Sequence, residues 1–389
     1  MEGRLFTHPS RDLSVTRMVY HAQQSEFAQF SKMSSPDWHP DNGLHLYWGE
    51  IHGHTELSDG RGSLDDYFGF ARDVAKLDFC AATDHDHGGV GRPCLWEEGK
   101  WELTQRKVEE YHREGEFVTL LAYERDSYPW FSNLCLYYRY GTGELVRGEE
   151  DGRITADEWR KLLAREDIIS IPHHTANVSQ GVNFPAIPLE LMPPLTEIYS
   201  KWGTNEYFGN PRPVVCEARG GHWRDALEMG ARMGCVAGSD VHLPSPGADC
   251  HMGAHVPYDE PGLLGVWAPE LTREAIWQAI RDKHTIAASG ARVMIDFRVC
   301  GQIAGSEIKH PAGQPRRLAL KVLAPSELKR VDVIRNGNDV FHINIEGSGN
   351  STSLLVEDLV TERQTDYYYV RVTLMNGRQA WCSPVWVEV

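Results

Sequence analysis

Residues 46–60 read L-Y-W-G-E-I-H-G-H-T-E-L-S-D-G, a short apolar run that stops abruptly at histidines and a carboxylate. The run Leu46–Trp48 suits a strand, and the polar cluster after it supplies His52, His54 and Asp59. Residues two apart on an extended chain point the same way, so the two histidines would share one face. The same pattern recurs downstream. Phe79–Ala82 leads into T-D-H-D-H, with Asp84, His85, Asp86 and His87, and Phe117–Ala122 leads to Glu124. Ile168–Ile171 leads to His173 and His174, and Cys235–Gly238 leads to Asp240 and His242. Leu195–Tyr199 is a further apolar run of the same kind.

Helix signals lie between these runs. Ser63 with Asp66 and Thr155 with Glu158 fit capping boxes, in which side chains satisfy the first free N–H groups of a helix. Arg224–Met233 reads as a helix stopped by Gly234, and Thr272 is placed to cap Arg273–Lys283. Strands alternating with helices predict βα units around a parallel sheet, and 45–292 matches the roughly 250 residues of a (β/α) barrel. In such a barrel the C-terminal strand ends share one rim, where the histidines and carboxylates would meet. Taken singly, an H-x-H pair or a carboxylate after a strand is more often a hydrogen-bonded neighbour or a helix cap. Their recurrence at five strand ends favours a metal site. Nitrogen and oxygen donors without thiolate suit Zn, Mn or Fe better than Mg or Ca.

After 292 the texture changes. Leu318, Leu320 and Val322 alternate with other residues, as do Tyr368, Val370, Val372 and Leu374, which is strand periodicity. Asn336-Gly337 and Asn376-Gly377 each separate two such runs, a strong hairpin signal. The expected division is therefore an N-terminal arm at 1–44, a metal-dependent barrel at 45–292 and an antiparallel β-sandwich at 293–389.

Composition narrows the function. The 389 residues are 41% hydrophobic and 24% charged, as in a globular protein of two or three domains. The net charge of −16 opposes nucleic acid and anionic membranes, because phosphate affinity depends on Lys and Arg. A small-molecule substrate and a possible homo-oligomer remain as partners. The eight cysteines include no C-x-x-C, the N-terminus lacks an apolar leader core, and no run of 18 apolar residues occurs. These features lead to the expectation of a cytoplasmic protein with reduced thiols.

The ordered set of H-x-H, S-D-G, T-D-H, a lone Glu, a strand-end His and S-D-x-H resembles the polymerase-and-histidinol-phosphatase (PHP) superfamily. L-Y-W-G-E-I-H-G-H-T (46–55), Y-Y-Y-V-R-V (367–372) and A-W-C-S-P-V-W-V (380–387) resemble its branch with a β-sandwich tail. The resemblance implies a distorted (β/α)7 barrel with two or three divalent ions and, by default, phosphoester hydrolysis. It implies that His52, His54, Glu124 and Asp240 hold one metal and that Asp59, His85 and His242 hold another. Glu124 would bridge to a third ion, also bound by His173. Family members usually add a His shortly after the bridging Glu, but here the matching stretch is P-W-F-S-N-L-C (129–135). His174 or a group near Glu197 and Tyr199 would then substitute, or the site would be dinuclear.

Asp84 is expected to accept a hydrogen bond from a metal-bound imidazole, and His174 is a second candidate for a direct part in catalysis. Arg125, Lys201, Arg219 and His222 are candidates for holding a substrate anion. Trp202, with Trp130, Phe131, Tyr207, Phe208 and Trp223, falls in the inferred rim loops, and an apolar mouth would suit a small organic ester. Two other readings stand beside the phosphoesterase: an amide, ester or lactone hydrolase on the same metals, and a non-catalytic metal-binding scaffold.

Overall fold

The structure, a computed structural model, describes residues 43–87, 93–126, 133–146, 155–344, 349–359 and 363–389. The expected arm at 1–44 lies outside the described residues except for its last two. The fold is mixed α/β and rich in strands: 21 strands and five short α-helices among the described residues.

The first part of the chain runs β1 (His45–Glu50), α1 (Leu64–Gly69), β2 (Phe79–Cys80), α2 (Lys100–Tyr111), β3 (Val118–Thr119), β4 (Ala122–Asp126) and β5 (Asn133–Tyr138). It continues through α3 (Ala156–Leu163), β6 (Ile168–Pro172), β7 (Leu195–Ser200), β8 (Gly203–Thr204), α4 (Trp223–Glu228) and β9 (Gly234–Ala237). Then follow β10 (Gly262–Ala268), α5 (Arg273–Arg281) and β11 (Thr285–Ser289). Both capping boxes form, at Ser63 for α1 and Thr155 for α3, and the Thr272 side chain caps α5.

The parallel pairing expected of βα units is present in part. β1 pairs parallel with β2, β2 with β3, and β7 with β9, but β4–β5–β6 form an antiparallel sheet and β1 also pairs antiparallel with β10. Only residues 127–132 separate β4 from β5, and a parallel crossover needs about a dozen residues or more. The helix expected over Arg224–Met233 is also shorter. It covers Trp223–Glu228 and ends before Gly230, whose φ of 95° no helix continues. Gly234 opens β9 instead of stopping a helix.

Single bridges extend the strands toward the histidines. Gly53 pairs with Val241 and His85 with Glu124, so the segments after β1, β2 and β9 are stitched to one another and to β4. The His54 N–H donates to the Val241 carbonyl at 2.7 Å, and the Asp240 N–H to the His52 carbonyl at 2.9 Å. Gly53 must be glycine here, since a Cβ would lie 2.4 Å from the Tyr67 hydroxyl.

The C-terminal strands are β12 (Met294–Val299), β13 (Gln302–Ile303), β14 (Glu307–Lys309), β15 (Arg316–Leu323), β16 (Leu328–Arg335) and β17 (Asn338–Asn344). They end with β18 (Ser351–Asp358), β19 (Thr365–Leu374), β20 (Gln379–Cys382) and β21 (Val385–Glu388). One sheet runs β13-β12-β15-β18; the other places β16, β20 and β21 around β19. Their facing residues, among them Leu318, Leu320, Val322, Val331, Val370 and Val372, belong to one core. The alternation in β15 appears as alternating burial. At Asn336-Gly337 both residues have positive φ and β16 turns directly into β17. At Asn376-Gly377 only Gly377 does, and its N–H donates to the Leu374 carbonyl.

The expected division at 292/293 falls between β11 and β12, yet β20 pairs with β11 across it. The sheet is therefore continuous from β14 and β21 through β11, β10 and β1 to β3. All eight cysteines are free thiols. No helix among the described residues is long and apolar enough to cross a membrane.

Candidate metal centre

His52, His54, Glu124 and Asp240 are buried, and one ligand atom from each lies within 4.8 Å of the others. Glu124 Oε2 is 3.2 Å from His52 Nε2 and 3.1 Å from His54 Nε2. Asp240 Oδ1 is 3.1 Å from the same His54 nitrogen. A second group joins His54 to Asp59, His85 and His242, which are more exposed and open the centre to solvent. Asp59 Oδ1 is 3.3 Å from His242 Nε2 and 3.7 Å from His85 Nε2. The His242 and His85 rings both lie near-parallel to the His54 ring, 4.3 Å and 4.6 Å from it. Glu124 Oε1 turns the other way, 2.8 Å from His173 Nε2, and Asn133 Nδ2 also donates to it. His174 Nε2 is 2.9 Å from Asp240 Oδ2.

Charge explains why such a set belongs to a cation. Burial raises carboxyl groups, yet His85 and His173 hold Glu124 well below the usual carboxylate range, and His52 and His174 do the same for Asp240. Burial also opposes charge on His54, but hydrogen bonds to Asp240 and Glu124 lift it to about 10. At His173 burial prevails and lowers it to about 3. Buried carboxylates need positive charge beside them, from protonated rings or from a metal. His85 Nδ1 and His173 Nδ1 are buried and have no hydrogen-bond partner in the protein. The nitrogen and oxygen donors, their spacing and these orphaned atoms fit divalent ions.

The support behind the rings differs from the expectation for Asp84. Asp84 Oδ1 accepts from the Thr55 N–H at 2.8 Å and the Ser58 hydroxyl at 2.6 Å, and Oδ2 accepts from the Thr55 hydroxyl. It therefore shapes the turn after His54, and among the described residues it makes no hydrogen bond to an imidazole. Glu197 takes the role foreseen for Asp84: its Oε2 is 2.8 Å from His52 Nδ1, orienting the ring from behind. Glu197 thus lies behind the His52 ring, with its other oxygen buried and without a partner. Glu50, raised to about 7 by burial, accepts from the N–H groups of His52 and Ser239 and ties β1 to the segment after β9. Glu50, Asn133 and Cys135 carried no signal in the sequence beyond lying near β-strand ends. Glu197 lay at the end of an apolar run but had no motif around it.

The anion-binding candidates fare differently. Arg125 follows Glu124 on β4, so it faces away from Glu124, and it is buried beside Tyr123. Lys201 is buried and spends its ammonium on the carbonyls of Cys250 and Asp259. His222 caps α4 and is held 3.0 Å from Glu217, and Arg219 lies over the exposed Phe208 ring at 3.8 Å. Lys201, Arg219 and His222 thus have partners of their own, while one guanidinium nitrogen of Arg125 is buried without one. The Trp202 ring lies 5.4 Å from that of His174 and 5.7 Å from that of His255. Its indole N–H is buried without a partner. Trp223 is core, donating to the Met233 carbonyl, while Tyr207 packs under Arg224. Trp130 and Phe131 lie outside the described residues.

Residues 238–321, from the Asp240 segment to β15, match a family model described as a protein of unknown function, DUF3604. An uncharacterised protein of Chlamydia pneumoniae is 27% identical over 372 residues, covering 90% of this chain and 58% of its own length. A Chlamydia muridarum protein is 26% identical over 384 residues, with coverages of 89% and 58%. The chain thus spans 58% of the length of these relatives. Among solved structures, a two-domain Bacteroides vulgatus protein containing a predicted PHP-like metal-dependent phosphoesterase is 11% identical with a TM-score of 0.44. That match covers 90% of this chain and 98% of the other.

Proposed function

We propose that the chain is a divalent-metal-dependent hydrolase of the PHP type, acting first on a small organic phosphoester. In this reading residues 45–292 form a distorted barrel carrying the site, with the strands of 293–389 as a β-sandwich beside it. The observation that carries the reading is the convergence of His52, His54, Glu124 and Asp240 within 4.8 Å in a buried pocket. These four would hold one ion, and Asp59, His85 and His242 a second, with zinc, manganese or iron suiting the donors. Bound ions of this kind lower the pKa of water toward ~7 and neutralise charge at a phosphoryl oxygen. Glu197 fixes the His52 ring, Asp84 holds the turn that carries His54, and the buried His174 lies between Asp240 and the Trp202 ring.

A second reading, hydrolysis of an amide, ester or lactone, draws on a specific observation. Three of the side chains expected to hold a phosphate, Lys201, Arg219 and His222, are engaged elsewhere. A carbonyl substrate needs no such cations. Two or three metal equivalents with chelator-sensitive phosphate release, restored by Mn, Zn or Fe, would support the first reading. Metal-dependent amide or ester cleavage without phosphate release would select the second. Binding of metal with no turnover on either class would leave a scaffold.

Gly238→Ala probes the support of the centre. A Cβ there would lie 2.4 Å from His52 Cβ and 2.6 Å from Glu197 Oε2. We expect the His52–Glu197 pair to be pushed apart and metal affinity to fall on the order of 10–100-fold, as when an outer partner of a ligand is lost. A metal titration of the variant that overlays wild type would rule out the need for this pair.

A further inference from the structure

Building on the metal-centre reading, we propose that Cys135 supplies a thiolate to a third metal position, beside Glu124 and His173. This position would therefore favour zinc or ferrous iron over manganese. Glu124, Cys135 and the chain leading to His173 lie on three adjacent antiparallel strands. In the register Glu124 stands opposite Cys135, and Cys135 opposite Ile171, two residues before His173. Directly opposed residues share a face of the sheet, and so do residues two apart, so all three side chains are presented together. Ligand atoms of Cys135, Glu124, His173 and His52 all lie within 4.8 Å of one another, and all four residues are buried. His173 faces Glu124 Oε1 with its Nε2 at 2.8 Å, and its other ring nitrogen is buried without a hydrogen-bond partner.

The alternative third ligand, His174, is placed differently. Its backbone has a φ of 53°, past the end of β6, and its Nε2 contacts Asp240 instead of Glu124. Its ring lies 5.4 Å from that of Trp202. Cys135 belongs to the same rigid sheet as Glu124. A thiol that coordinates a cation loses its proton to solvent, and the resulting soft sulfur donor prefers zinc and iron to manganese.

The test uses the full chain, stripped of metal and reloaded with Co(II), a spectroscopic stand-in for zinc. Sulfur ligation gives an intense sulfur-to-cobalt charge-transfer band in the near ultraviolet, which nitrogen and oxygen donors do not produce. We expect this band in wild type and in His174→Ala, and its loss in Cys135→Ser with one fewer equivalent of bound metal. Cys135→Ala, with thermal unfolding of each variant, controls for misfolding. Metal bound without the band, or a band that survives in Cys135→Ser and Cys135→Ala, would overturn the role of Cys135 and leave the other metal ligands standing. Loss of the third equivalent in His174→Ala but not in Cys135→Ser would assign the ligand to His174. A wild-type chain that binds no metal would overturn this inference together with the metal-centre reading beneath it.

Discussion

His54→Ala and Asp240→Ala are each expected to reduce turnover by at least on the order of 10³-fold while leaving a cooperatively folded chain. His54 is the joint of the centre. Its Nε2 faces Glu124 and Asp240, and its ring stacks with those of His85 and His242. Removing the ring would disrupt both donor groups at once. Asp240 provides one oxygen to His54 and the other to His174. Asp240→Asn tests the charge separately, because the amide keeps the shape but weakens the pull on a cation. The fold should survive because the strands that carry these residues are held by the apolar core and by backbone bonds. The check combines metal content, kcat/KM on the best substrate class and thermal unfolding of the metal-free proteins. Full activity in both alanine variants would sink the assignment of the centre.

The largest stability effect is expected at Glu206, far from the metal ligands in function but tied to the same loop as Trp202. Glu206 is fully buried. Its Oε1 accepts from the Tyr369 hydroxyl at 2.8 Å and from Arg371 at 2.9 Å, and its Oε2 accepts from Trp381 Nε1 at 2.8 Å. Arg371 continues to Asp332 at 3.0 Å, so the network joins the segment after β8 to β16, β19 and β20. Glu206→Ala removes one partner each from a buried guanidinium, phenol and indole. Breaking a buried pair from one side costs about 3–5 kcal/mol, and the melting temperature should fall on the order of 10 °C. Glu206→Gln keeps the volume and one acceptor and should lose less. Removing Arg160 of the exposed Arg160–Asp157 pair should change stability by less than about 0.5 kcal/mol. Equal melting temperatures for Glu206→Ala and wild type would show that the network contributes nothing to holding the two parts together.

Much of the local structure was legible. Capping boxes at Ser63 and Thr155, the hairpins at Asn336 and Asn376, and the alternation in β15 all rest on interactions within a few residues. The short chain decides these by itself. The helix from Trp223 was over-extended because apolar residues up to Met233 suit a helix and a following strand equally well. The antiparallel pairing of β4 with β5 has no sequence signal, because N-L-C-L-Y-Y does not lead into a histidine or carboxylate as the other runs do.

The recurring histidines and carboxylates at strand ends were determined by sequence, because the need for donor atoms is written in residue type. The direction each side chain faces was decided only in the folded molecule. Asp84 and Glu197 are both buried carboxylates near the histidines, and nothing local says which one lies behind His52. Lys201 and Arg125 have the charge for an anion site, but burial gave them other surroundings. Cys135 has no motif at all and meets Glu124 only because β4 and β5 pair in that register. Chemistry that depends on residue type can be read along the chain, whereas partnership between groups far apart in sequence exists only once strand register has brought them within a few ångströms.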